Sequence, residues 1–151
     1  MPVIHDEPWG ELRREIDRSR RFDHGVTLLR AEPPVPVTGW RGQRRHAQTL
    51  ARLRGALRTI DSVWADGEAI YLLLPETDRG AAELVVSRLW RELPQLLAFE
   101  ELRMASFPAD GVTSEALRAC VDRAPETARG RHRWSREPAP STVQPAHESE
   151  Q

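Results

Sequence analysis

Residues 57–77 read LRTIDSVWADGEAIYLLLPET. Asp66-Gly67 falls between two short β-prone runs. Asp-Gly is a strong hairpin signal, because a tight antiparallel turn needs a positive φ that glycine adopts freely. The chain therefore predicts a strand over Asp61–Trp64, a turn over Ala65–Glu68 and a strand over Ala69–Leu74. That second strand is almost continuously apolar, as expected where a sheet is covered on both faces. Pro75 ends it.

Upstream, Gln43–Ile60 reads as a long helix. Ala47, Leu50, Leu53, Leu57 and Ile60 recur at spacings of three and four, which predicts one buried face. Arg44, Arg45, Arg52, Arg54 and Arg58 lie on its other face, with no acid between Gly39 and Ile60. A charge run of this kind is usually a solvated face. Before it, Pro33-Pro34-Val35-Pro36 excludes helix and central strand alike. Val26–Ala31 is a short β-prone run, and Glu11–Arg21 is a charged helix with Leu12 and Ile16 four apart.

Downstream, Asp78–Leu93 is the next long helix, with Thr77 or Asp78 as cap. Its expected buried face is Ala81, Leu84, Val85, Leu89 and Trp90. Leu102–Phe107 reads as a strand, Pro108–Gly111 as a turn, and Thr113 or Ser114 caps a last helix that runs to Ala124. Leu117, Cys120 and Val121 point inward there. The order is helix, strand, helix, hairpin, helix, strand, helix: an α/β fold, a mixed central sheet covered by helices.

The 151 residues suffice for one domain with a core. From Pro125 onward aliphatic residues nearly vanish, and such a tail cannot offset its ordering entropy. All 22 basic residues are arginine, and net charge is −1, so no global field draws the chain to nucleic acid or membrane. The single cysteine, Cys120, excludes an internal disulfide and a cysteine metal site. The histidines do not fall at metal-ligand spacings. No phosphate-cradling glycine loop or Ser/His/Asp grouping appears. The longest apolar run, Ala69–Pro75, is too short to span a bilayer, so no direct membrane insertion is expected. The N-terminus lacks the signal-peptide pattern, which makes the cytoplasm the expected location.

The order and spacing of several motifs resemble the GGDEF (diguanylate cyclase) family. Leu57-Arg58-Thr59-Ile60-Asp61 resembles its LR-x-x-D segment, and Asp66-Gly67-Glu68-Ala69-Ile70 its GG(D/E)EF loop. The strand ending Leu74-Pro75-Glu76-Thr77 resembles LLPET. Ser87-Arg88-Leu89 falls on the next helix of the pattern, and Phe107–Thr113 is similar to FP-x-DG-x-T. Val121–Ala124 and Ala128–Trp134 resemble the closing helix and GRNR segment. Upstream, Glu15–Arg21 resembles the leading helix. The resemblance spans residues 10–134, with 1–9 as an N-terminal extension and 135–151 as a disordered tail.

This resemblance implies where chemistry would sit. Active members hold divalent metal with an acid on the first strand and with the third loop position, because phosphoryl chemistry needs charge neutralisation by hard oxygen-ligated cations. Arg30 stands at the first of these positions. Glu68 retains the second, but Ala69 replaces the acid that follows, and Asp66 replaces a glycine. Pro33–Pro36 replaces the nucleotide-contacting segment. The expectation is a catalytically inactive domain without metal or cofactor, in which Arg30 and Glu68 form an ion pair at the lost metal position.

The family's inhibitory site combines RxxD with an arginine from the following helix. Arg58, Asp61 and Arg88 fall in those positions, which implies a candidate cyclic di-GMP receptor. Guanidinium suits phosphates and guanine edges alike. The competing reading is structural, with Asp61 closing a turn and Arg88 on the surface. A ligand-free interaction module is the alternative function, docking a second copy or a bacterial signalling or export protein. Its local support is the basic helix face and the tryptophans Trp9, Trp40 and Trp134, expected to be exposed.

Overall fold

The structure is a computed structural model and describes residues 7–123. Its elements are α1 (Glu7–Phe22), β1 (Val26–Ala31), α2 (Gly39–Ala56), β2 (Ser62–Asp66), β3 (Ala69–Pro75), α3 (Arg79–Glu92), β4 (Arg103–Phe107) and α4 (Ser114–Asp122). A 3-10 turn, Phe99–Glu101, precedes β4.

The sheet order is β2-β3-β1-β4. Every neighbouring pair is antiparallel. β1 and β2 therefore run in one direction with β3 between them, and β3 and β4 run in the other with β1 between them. The chain thus forms two interleaved split β-α-β units. The strands do run in both directions, as expected, but no two parallel strands are neighbours.

Alternation along the strands divides the core into two layers. Leu29, Ala31, Ile70, Leu72 and Leu74 face α2 and α3, against Leu53, Ala82, Val86 and Leu89. Val26, Leu28, Ala69, Tyr71 and Leu73 face α1 and α4, against Leu12, Ile16, Leu117 and Val121. All seven residues of β3 are buried. The helices explain why its sequence is apolar without interruption.

The hairpin closes on two residues, Gly67 and Glu68, since Asp66 already pairs with Ala69. Gly67 carries the positive φ, +67°. Asp78 caps α3 by accepting from the Ala81 N–H at 2.9 Å, and Thr113 caps α4 through the Ala116 N–H at 3.0 Å.

Several helix faces differ from expectation. α2 starts four residues earlier than expected and stops at Ala56. It buries Gly42, His46, Thr49 and Leu53; Ala47 is exposed and Ile60 is 52% exposed. The reason is close packing of the proline run. A Cβ on Gly42 would meet the Val37 carbonyl carbon at 3.2 Å, so the helix turns its small residues to that loop. On α3 the buried set is Ala82, Val86 and Leu89, while Leu84 is 73% exposed. α1 begins at Glu7 and carries Trp9 into the α1/α4 layer, so Trp9 is not the exposed residue expected. The tail and the Ala128–Trp134 segment, Trp134 included, lie outside the described residues.

Candidate functional site

Two groups of side chains bear on function, and they occupy different ends of the sheet. The first is the corner where α2 meets β2. Asp61 accepts from the Arg58 backbone N–H at 2.8 Å, and its other oxygen accepts from the Arg58 guanidinium at 2.8 Å. The Asp61 side chain is 2% exposed, whereas that of Arg58 is half exposed. Arg58 also donates to the Pro75 carbonyl at 2.9 Å and to Thr77 Oγ1 at 2.8 Å. One guanidinium thereby ties the end of α2 to the end of β3.

Arg88 reaches the same corner from α3. It donates to the Ala56 carbonyl at 3.0 Å, two residues before Arg58. A cation is favoured there by the carbonyls left unpaired at a helix C-terminus. Its other contact is Glu92 at 3.5 Å, and its side chain is 37% exposed. Arg58 and Asp61 are therefore paired, and Arg88 bonds the end of α2 two residues before Arg58; the side chains of both arginines are partly exposed.

The second group surrounds Arg30. In the strand register Arg30 lies opposite Tyr71 on β3 and Arg103 on β4. Its guanidinium pairs with Asp122 at 3.0 Å and Glu32 at 3.2 Å. It also lies 5.8 Å from the centre of the Tyr71 ring. The expected Arg30–Glu68 pair is not formed. Glu68 is three residues before Tyr71, about 10 Å at the rise of a strand, and stands exposed in the turn that precedes β3. The cation at this position is met instead by acids from the end of β1 and from α4.

Tyr71 donates its hydroxyl to the same Asp122 oxygen at 2.7 Å. Burial first, and then that hydrogen bond, push its pKa up to about 12. Arg118 continues the network, pairing with Asp66 at 3.4 Å and Asp122 at 3.5 Å. Its guanidinium lies 3.9 Å from the Trp9 ring centre. Trp9 meets Trp64 and Tyr71 edge-on at 5.1 and 4.8 Å, and Trp64 stacks on Tyr71 at 5.6 Å. Each acid of this cluster (Glu32, Asp66 and Asp122) is engaged by a guanidinium. Among the described residues no group of three or more metal-ligating side chains is assembled.

The resemblance drew attention to Arg30 and to the loop, but missed Tyr71, Arg118, Asp122 and Trp9. The only local signal was the Arg118/Asp122 spacing of four on a helix. Of the loop residues, Asp66, Gly67 and Glu68 are exposed, while Ala69 and Ile70 are core.

An antiparallel sheet built from two split β-α-β units and covered by helices on both faces defines the class of fold. The fold is that of GGDEF domains, as comparison with solved structures shows. The isolated GGDEF domain of TpbB (YfiN) from Pseudomonas aeruginosa superposes with a TM-score of 0.59 at 19% identity, over 76% of each chain. A sensory box/GGDEF protein from Caulobacter crescentus gives 0.57 at 20% identity, over 75% of this chain and 83% of that one. An EAL/GGDEF domain protein from M. capsulatus gives 0.54 at 23% identity, over 72% and 81%. No family model and no curated protein matches the sequence.

Proposed function

We propose that this GGDEF-like domain is a catalytically inactive, cytoplasmic receptor for cyclic di-GMP, using the corner of Arg58, Asp61 and Arg88. The observation that supports this reading is that Arg58 and Arg88 both stand at one end of α2 with partly exposed side chains. Asp61 is buried and holds Arg58 in place. Arg58 and Arg88 are then the groups that meet the ligand's phosphates or guanine edges, where planar bidentate donors suit either.

The second group supports loss of the cyclase reaction. A fold of this class implies divalent metal at the end of β1, and the residues present do not fit one. Arg30 is itself a cation at that position. Glu32 and Asp122, the acids nearest it, are paired to it. Glu68 alone is free of such a pair among the loop acids, and a single carboxylate is a poor site for a hard cation that takes six or more oxygens.

The test is calorimetric titration of the chain with cyclic di-GMP. Saturable binding that Arg58→Ala and Arg88→Ala each weaken by about tenfold or more supports the reading, since a charge-assisted bond contributes about 1.5–3 kcal/mol. Binding indifferent to both substitutions contradicts the site. One observation favours a second reading. Arg58 already donates to Asp61, Pro75 and Thr77, a full structural role that a ligand-free interaction module also explains. Absence of any heat would favour it.

A further inference from the structure

α2 uses its arginines differently from the other long helices. On α1, Arg14, Arg18 and Arg20 pair with Glu11, Glu15 and Asp17. On α3, Arg79 and Arg88 pair with Glu83 and Glu92. α2 holds no acid, and its Arg41, Arg44, Arg45 and Arg52 are exposed without an ion pair among the described residues. At 3.6 residues per turn, Arg41, Arg45 and Arg52 fall within about 40° around the axis, with Arg44 about 60° to one side. The stripe is about 17 Å long.

Local energetics oppose this arrangement. Arg41 is three and four residues from Arg44 and Arg45, like-charge spacings that destabilise a helix. Arg41 also sits in the first turn, where the helix dipole disfavours a cation. That turn contains no acid, and Thr38 makes no side-chain cap. A solvated helix face has no need of such an arrangement. An external anion would offset each of these costs.

Apolar groups stand at one end of the stripe. Pro34, Val35 and Pro36 are exposed, Val35 by 44% and Trp40 by 67%. The Arg41 guanidinium lies 5.1 Å from the Trp40 ring centre. Behind this loop, against Arg45, His46 and Thr49, the cleft measures only about 10 Å³, the space of one water. The loop is therefore seated on the helix and shows its apolar side outward.

We infer that this face of α2, with the proline loop and Trp40, adsorbs to an anionic lipid surface. The exposed Val35 and Trp40 at one end favour a lipid surface over a nucleic-acid backbone, which has no apolar layer beneath its phosphates. Headgroup phosphates supply anions along the whole stripe, matching arginine's paired donors, and the interface below them takes Trp40 and Val35 at one end. Adsorption needs no spanning segment, and no described helix is long and apolar enough to cross a membrane. The surface starts at the N-terminal end of α2 and runs to Arg52, about one turn short of its other end, and does not depend on the dinucleotide reading.

Flotation of the full chain with vesicles decides it. Vesicles of phosphatidylglycerol and phosphatidylcholine in equal parts should carry the protein, and phosphatidylcholine alone should not. Raising salt should release it, because screening shortens the reach of the charges. Replacing Arg41, Arg44, Arg45 and Arg52 with Gln should weaken partitioning roughly fivefold per arginine, several hundredfold together. Trp40→Ala should weaken it further at fixed charge. The Arg21→Gln, Arg91→Gln double variant, which removes two exposed arginines elsewhere, should retain most binding. The proposal is overturned if anionic vesicles carry no protein, if their binding ignores salt, or if the α2 variant floats as well as the unaltered chain. It is equally overturned if a single-stranded oligonucleotide or an acidic peptide binds through the same arginines while vesicles do not.

Discussion

Tyr71 is the clearest reporter of the cluster that occupies the sheet end. It is the only tyrosine in the chain. Its hydroxyl is bound to Asp122 beneath Trp9 and Trp64, so its proton is harder to remove than in the unfolded chain. A phenol whose folded pKa is raised from 10.0 to about 12 contributes stability that is fully present below pH 10. That contribution is lost as pH rises through 12. Phenolate absorbance should therefore show one transition centred near 12, followed on unfolding by a shift toward 10. Urea midpoints should fall over the same window in the unaltered chain and not in Tyr71→Phe. A native titration near 10 would mean that Tyr71 is neither buried nor bound to Asp122 in solution.

Among the elements, legibility followed how strongly each pattern constrained its surroundings. β1 was readable to the residue, because Val26–Ala31 is bounded by Gly25 and the proline run. The hairpin was readable because Asp66-Gly67 admits few conformations. The faces of α2 and α3 were not. Counting only large apolar residues missed that α2 buries Gly42, His46 and Thr49 under a proline loop, and no periodicity announces a loop seated on a helix. On α3 the sequence Leu84-Val85-Val86 is apolar at three successive positions, so the stripe alone does not choose which faces the sheet. Only the register of the cap does. Asp78 sets it by accepting from Ala81, and Asp78→Ala should cost about 1 kcal/mol in chemical denaturation. No loss would show that packing alone fixes the start of α3.

For the molecule as a whole, the consequence of two core layers on one sheet is mechanical unity. Leu28 and Leu29 are adjacent in β1, both fully buried, one in each layer. Leu28→Ala and Leu29→Ala should each cost about 2–5 kcal/mol, with one shared unfolding transition for both layers; two transitions would show that the layers unfold separately. The candidate sites lie at the rim of this unit, and they were legible to different degrees. Arg58 and Asp61 followed from the resemblance and do pair, while Arg88 reaches the Ala56 carbonyl at the end of α2 rather than either of them. The fate of Arg30 was not readable, since its partner Asp122 comes from α4, 92 residues away.

We propose that this GGDEF-like domain has exchanged the metal-dependent reaction for recognition of the dinucleotide. Thermal unfolding in the presence of guanine nucleotides tests it most directly, because a ligand that binds only the native state raises apparent stability. Cyclic di-GMP should raise the midpoint by several degrees in the unaltered chain and not in the Arg58→Ala, Arg88→Ala double variant. GTP with magnesium should leave it unchanged. A midpoint raised by GTP with magnesium, and indifferent to cyclic di-GMP, would contradict the account.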